Sequence, residues 1–365
     1  MSVPSNFLRA PFESLLMQSR SILFVLMCTP LAAVHADQKS DNVAKTTVAV
    51  NTDDQSVKVV AAAERMLATL NDDERAKTIF KFNDEEQRLR WSNLPTGIFE
   101  RKGLRMGDLK QEQIDAVMVL IKATMSSDGY QQVVDNMAGE ETLKGGGRGR
   151  LVFGKDEYYL SILGMPSRTE PWMWQFGGHH LAINATILGD QITLAPSLTG
   201  GQPMRYANDG KEIVQMADEL VVAFELVNAL DADQKKKAIL SQKFGELALG
   251  PGRDDVHPEP EGIRGNELSE GQKTLLKKLI TERVGLLNAE DAAAKLESVA
   301  ATLDDTWFSW RGEVKPGSAA YYRVQSPTFF LEFAPQQMGG APMQHVHAMY
   351  REFKNDYGEQ MLHAK

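Results

Sequence analysis

The order of residue patterns along the chain predicts an α+β fold in a single domain: a mixed or antiparallel sheet built from two blocks of strands, with helices packed around it. Three observations carry that expectation. Amphipathic stretches with apolar residues at three- and four-residue steps fill residues 57–143 and recur over 212–303. Stretches rich in β-branched and aromatic residues follow each of them, at 158–194 and at 307–350. Either strand block alone leaves an apolar face uncovered, so the two are expected to pair into one sheet.

The chain has 365 residues, 42% hydrophobic and 24% charged, which is enough for one large core or two smaller ones. Its formal net charge of -9 provides no basic footprint, so nucleic acid is not an expected partner.

At the N-terminus, Arg20 precedes an apolar run, Ile22 to Val34, which closes with Val34-His35-Ala36 before polar Asp37. That order predicts a signal peptide over residues 1–36, too short in its apolar part to serve as a transmembrane anchor. The expected location is the periplasm or outside the cell. The single cysteine, Cys28, lies inside this run behind a bulky Met27, which argues against a lipid anchor. Removal of the segment leaves no thiol, so disulfides and thiolate chemistry are excluded. Residues 37–56 are polar without an apolar period and read as a disordered tether.

From Val57 the chain reads as helix, with Val57, Val60, Ala61, Met66, Leu67 and Leu70 forming an apolar stripe. Asn71 with Glu74 forms a capping box for the next helix, and the same device recurs at Asp231 with Gln234 and at Ser269 with Gln272. Because any well-capped helix shows that pattern, these read as independent helix starts and not as an internal repeat. Helices are expected at 110–125, 128–143, 212–230, 232–242, 270–287 and 289–303. The glycine-rich run 145–150 lacks the Lys-Ser or Lys-Thr of a phosphate loop and reads as a connector.

Strands are expected at 158–163, 172–176, 181–188 and 191–194, the last two joined at Gly189-Asp190 as a hairpin. A second set is expected at 307–311, 321–324, 328–333 and 345–350. Residues 244–266, rich in Gly and Pro, form a long loop.

Chemistry is expected where two histidine-bearing stretches meet, 171–203 and 344–358. His345 and His347 are two apart on a strand and so share a face. On the same parity argument His179 belongs with apolar Leu181, Ile183 and Ile187, and His180 with polar Asn184 and Thr186; a bulge at Gly177-Gly178 would alter that aim. The expected metal ligands are therefore His180, His345 and His347. Three imidazoles, or two with a carboxylate such as Glu332, suit zinc, copper or non-haem iron. Two alternatives remain open: histidines hydrogen-bonded within a polar sheet surface, and a metal-free pocket where histidine acts as acid or base.

Around these, His180, Glu332 and Arg351 are the candidate catalytic residues. Arg351 offers a fork for an anionic ligand, or else a salt bridge to Glu352 or Asp356. Trp172, Trp174, His179, Asn184, Arg323 and Asp356 are the candidate ligand-binding residues, although aromatic strand residues also serve as plain core. The signatures of zincins, nucleophile-elbow hydrolases, paired Cys-x-x-Cys sites and dinucleotide enzymes are missing from the sequence.

Several short motifs recur together: Tyr158-Tyr159 with Gly164-Met165-Pro166-Ser167, Glu170-Pro171-Trp172, Gly178-His179-His180-Leu181 with Asn184, Tyr321-Tyr322-Arg323, Ser326-Pro327, Glu332-Phe333, His345-Val346-His347 with Arg351, and Asn355-Asp356-Tyr357-Gly358. In these the chain resembles the bacterial family called domain of unknown function 3500, from about Val57 to the C-terminus as one unit. The resemblance implies domain boundaries and export but no reaction. Two readings of function follow: a periplasmic enzyme with a histidine-rich, metal-dependent site, a hydrolase or oxidase, and a non-catalytic periplasmic protein that binds a metal or a small anionic ligand.

Overall fold

The computed structural model of the protein describes residues 55–338 and 341–363. The expected signal peptide lies outside them, and so does the expected tether up to residue 54. Gln55 and Ser56 are not tether: they open the first helix, where Ser56 is buried.

In the first half of the chain the order is α1 Gln55–Ala68, α2 Asp72–Thr78, β1 Ile79–Phe80, α3 Glu85–Arg88, β2 Leu104–Arg105, α4 Gln111–Thr124, α5 Ser127–Glu141, β3 Tyr159–Leu163, β4 Trp172–Gly178, β5 Leu181–Leu188, β6 Gln191–Thr193 and β7 Ser197–Gly201. A small hairpin follows, β8 Arg205–Asn208 and β9 Lys211–Val214. The second half runs α6 Ala217–Ala229, α7 Ala232–Ala238, β10 Ile239–Ser241, β11 Ile263–Arg264, α8 Glu270–Val284, α9 Ala289–Thr302, β12 Trp307–Gly312, β13 Ala320–Gln325, β14 Phe329–Pro335, β15 Val346–Glu352 and α10 Glu359–His363.

The two halves are copies of one pattern. In the first, β1 pairs parallel and β2 antiparallel with β3, which continues through β4 and β5 to β7. In the second, β10 pairs parallel and β11 antiparallel with β12, which continues through β13 and β14 to β15. The registers match as well: Ser161↔Gln175↔Asn184 in one copy corresponds to Ser309↔Arg323↔Glu332 in the other. β7 and β15 then pair antiparallel, so the copies join into one mixed 13-stranded sheet with the order β1-β3-β4-β5-β7-β15-β14-β13-β12-β10 along its main path. By this correspondence Ser197 and Tyr350 are equivalent, and they are also register partners, which puts the join at the centre of the repeat.

The expectation of unrelated helix starts is thereby corrected. Asn71 and Asp231 cap equivalent helices, each closing its box with Glu74 or Gln234. Gln113 reaches Glu74 as Gln272 reaches Gln234. Gly103-Leu104-Arg105 and Gly262-Ile263-Arg264 are the matching entries into β2 and β11. Both glycines have positive φ, and a Cβ at either would fall 2.1–2.3 Å from a carbonyl oxygen of the neighbouring strand, so no other residue fits there.

Two expected helices are shorter than their polar periodicity suggested. Residues 212–230 begin as β9 and become helix only at Ala217, and residues 232–242 leave the helix at Ala238, where Ile239 starts β10. In the second case β-branched Ile239 gains a sheet partner in Trp310, and tertiary pairing overrides helix propensity.

Side-chain alternation gives the sheet two faces. One carries Trp172, Trp174, Phe176, Trp310, Tyr322 and Phe333 into the main core beneath the helix pairs α1–α4 and α6–α8. The other carries Leu163, Met173, Ala182, Leu198 and Met349 into a smaller cluster with Trp91 and Tyr357. Loops cover this second face. Residues 81–103 lie over the first copy, where Gln87 bonds Ser161 and Gln175, and residues 242–262 lie over the second. Both copies belong to one unit, in agreement with the expected single domain. Among the described residues no helix is long and apolar enough to cross a membrane.

Candidate metal centre

His179 and His180 are not strand residues, so the parity argument for them does not apply. Gly177↔Ala182 and Gly178↔Leu181 are regular pairs without a bulge, and the two histidines form the turn that joins β4 to β5. His180 has φ +62°, at the turn position that ordinarily favours Gly or Asn. Its carbonyl accepts from Gly200 N–H at 2.6 Å and from the Asn136 amide at 3.2 Å, and Arg101 donates to the carbonyl of Gly178 at 2.7 Å. This fixed backbone holds a conformation that a non-glycine residue adopts only at a cost of order 1–3 kcal/mol. In the second copy the equivalent turn is Pro327-Thr328, so the histidine pair belongs to one copy only.

The other two imidazoles come from the second copy. His347 lies on β15 opposite Gly200 of β7, and His345 directly precedes that strand. The site therefore sits on the seam between the copies. Gly200 makes the approach possible: a Cβ there would lie 2.9 Å from His347 Cδ2 and 3.0 Å from His180 Cδ2.

The ligand atoms of His180, His345 and His347 all lie within 4.8 Å of one another. His180 Nε2 and His345 Nε2 are 2.9 Å apart, and the three rings stand 4.8–5.1 Å apart between centroids. Two nitrogens bound to one ion at about 2.0–2.1 Å lie about 2.9 Å apart at a right angle and about 3.4 Å apart at the tetrahedral angle, so this hydrogen-bonded pair needs only a small shift to become two ligands. His345 Nδ1 donates to the Met338 carbonyl, which fixes the tautomer and leaves Nε2 with its lone pair free. The Asn93 amide, from the loop over the first copy, contacts the His347 ring at 3.2 Å.

Burial shapes the charge state. Desolvation, helped by the neighbouring imidazoles, pushes His180 well below the usual histidine range and His347 down to about 3. His345, half-buried, is also lowered by desolvation, with the Met338 bond working in the opposite direction. At neutral pH all three rings are uncharged, the form that ligates metal.

A second group overlaps the first. Glu140, on α5, receives the Nδ1–H of His179 at 2.9 Å, and its carboxylate lies 3.9 Å from His180 Nδ1. Glu140, His179 and His180 are all buried. Glu140, Asn93, Asn136 and Gly200 were missed in the sequence, because each reaches the site from an element with no histidine near it. The one available signal was Gly200-Gly201, two small residues where a strand must pass close to bulky rings.

The remaining candidates are placed elsewhere on the framework. Glu332, Arg323 and Arg351 share the sheet face of His347, but the 242–262 loop engages them. Glu332 accepts from the N–H groups of Ala248 and Leu249 at 2.7 Å each and from Tyr321 at 3.0 Å. Arg351 donates to the carbonyls of Leu249 and Gly250 and pairs with Asp254 at 3.0 Å and Asp356 at 2.8 Å. Arg323 binds the Glu259 carbonyl, Gln325 and Glu261. Asn184 bonds Gln175 and the Pro196 carbonyl, both as framework. Trp172 and Trp174 lie in the main core on the opposite face from His347, so they wall no pocket at the histidines.

A family model described as a protein of unknown function (DUF3500) matches residues 52–359. The chain belongs to the DUF3500 family. The DUF3500 match spans both copies and every residue of the histidine cluster, so the repeat and the site lie within one family unit. None of the curated proteins and none of the solved structures matches the chain.

Proposed function

We propose that this DUF3500 protein carries a transition-metal centre held by His180, His345 and His347. One observation supports this above the rest: three neutral imidazoles from two distant segments converge across the seam, and one of them is held by the Met338 carbonyl in the tautomer that a ligand requires. All-imidazole ligation suits zinc, copper or non-haem iron. Three protein ligands leave a coordination position open, and an ion so held polarises a carbonyl or lowers the pKa of a bound water. The reading is an exported, periplasmic metalloenzyme of the hydrolase or oxidase type, with half-buried His345 at its solvent edge.

A second reading, a non-catalytic protein that binds the metal, gains from the engagement of Glu332, Arg323, Arg351 and Asp356 in the fold. Those charges were the reason to expect a reactive pocket around the histidines, and they are committed elsewhere.

The test is elemental analysis of protein purified without a histidine tag, alongside His345→Ala and His347→Ala. The proposal expects bound metal in the wild type and its loss in both variants with circular dichroism unchanged; a folded, metal-free wild type that takes up no added zinc, copper or iron contradicts it. Hydrolysis by the zinc form or oxygen consumption by the copper or iron form favours the enzyme, and reversible binding without turnover favours the binder. For export, mass spectrometry of the mature protein is expected to find an N-terminus at Asp37, whereas an intact N-terminus in the cytoplasmic fraction contradicts it.

A further inference from the structure

We infer that His180 bridges two metal ions, its Nε2 completing the site with His345 and His347 and its Nδ1 completing a second site with His179 and Glu140. The inference rests on the metal centre proposed above.

Proton bookkeeping in the metal-free cluster leads there. His345 gives its Nδ1 proton to a carbonyl, so its Nε2 is an acceptor, and the 2.9 Å contact requires the proton to sit on His180 Nε2. His180 Nδ1 is then a bare lone pair. It is buried and has no hydrogen-bond partner among the described residues. The Glu140 carboxylate, itself an acceptor, lies 3.9 Å away, and the Arg101 guanidinium is the cation whose charge also acts on His180. Two acceptors thus face each other in a buried position, an arrangement that costs free energy unless a cation or a donor lies between them.

Two of the three separations suit one ion, and all three ligand atoms lie within 4.8 Å of one another. Donors bound at about 2.0–2.2 Å lie about 2.9 Å apart at a right angle and about 4.2 Å apart when opposed. Glu140 stands 2.9 Å from His179 Nδ1 and 3.9 Å from His180 Nδ1, both within that window. The donor set is two imidazole nitrogens and one carboxylate oxygen, which suits divalent zinc or copper. On filling, the His179 proton leaves Nδ1 for Nε2, which frees Nδ1 to ligate. His180 loses its remaining N–H proton to solvent, and the resulting imidazolate carries one negative charge between two cations.

Titration of the metal-free full chain with zinc and, separately, with copper(II), followed by desalting and elemental analysis, tests the inference. Two ions per chain are expected in the wild type and one in Glu140→Gln, with His179→Gln as the second variant should the first not fold. Copper adds a spectroscopic check: the two-copper wild type should show a weakened, exchange-coupled paramagnetic signal, and one-copper Glu140→Gln a full-strength mononuclear one. One ion in both wild type and variants overturns the bridge and leaves the His180–His345–His347 centre standing. Two ions in all of them overturns it too, because the second ion is then elsewhere. No ion in the wild type overturns the bridge and the proposed centre together.

Discussion

Gly200 decides how near the two copies' histidines can come. An alanine there places its Cβ 2.8 Å from the Val346 carbonyl as well as against His347 and His180, so the strand or the rings must give way. Gly200→Ala is expected to weaken metal binding about 10–100-fold, the usual effect of disturbing groups that orient ligands. Competition with a chelator of known affinity reads this directly, and unchanged affinity contradicts the packing argument. His347 makes a pH prediction. Its folded-state pKa of about 3 lies below the unfolded value near 6.5, so the metal-free folded protein binds fewer protons than the unfolded chain between those limits. The stability it contributes is fully present above pH 6.5 and is lost as pH falls towards 3, by up to about 1.4 kcal/mol per pH unit. Urea midpoints of metal-free protein across that range should fall less steeply in His347→Gln, and parallel curves contradict the assignment. That His345 and His347 lie near each other was legible in the sequence from their spacing, and their rings stand 4.9 Å apart although His345 precedes the strand. The disposition of His179 and His180 was not, because a two-residue turn removes the alternation on which parity rests.

At the scale of elements, the 242–262 loop is pinned to the sheet by Glu332, Arg323 and Arg351, whose charges looked like site residues in the sequence. A buried charge on a strand is compatible with either role, and the loop partners that distinguish them lie more than sixty residues away in a segment without periodicity. Glu332→Ala leaves the N–H groups of Ala248 and Leu249 and the hydroxyl of Tyr321 without their acceptor. A stability loss of about 3 kcal/mol or more is expected from urea unfolding, with new protease cleavage inside the loop and metal content unchanged. Loss of metal with the loop still protected would instead move Glu332 into the centre. Capping boxes were the most legible elements: those at Asn71, Asp231 and Ser269 are all present. β7 was missed because Ser197–Gly201 has two glycines and little β propensity; its pairing with β5 and β15 makes it a strand.

For the whole molecule, the α+β class and the joining of two strand blocks followed from apolar patterning, but the repeat did not. What the copies share are caps, a Gly-aliphatic-Arg step and a register of polar residues whose identities differ, Gln175 against Arg323 and Asn184 against Glu332. The seam predicts that the copies hold together without a continuous backbone. Cleavage at the exposed turn Asp209-Gly210 should leave two fragments that co-elute under native conditions and unfold in one transition with the metal still bound. Fragments that separate, each folded, would mean two domains.

The most direct measurement is anomalous diffraction at the absorption edge of whichever metal the purified protein contains. A peak about 2.0–2.1 Å from the ring nitrogens of His180, His345 and His347 is the result this account predicts, joined by a second beside His179 and Glu140 where the bridge is filled. A crystal of the metal-loaded protein with no anomalous peak among these three rings, or with the rings turned to opposite faces of the sheet, would contradict it.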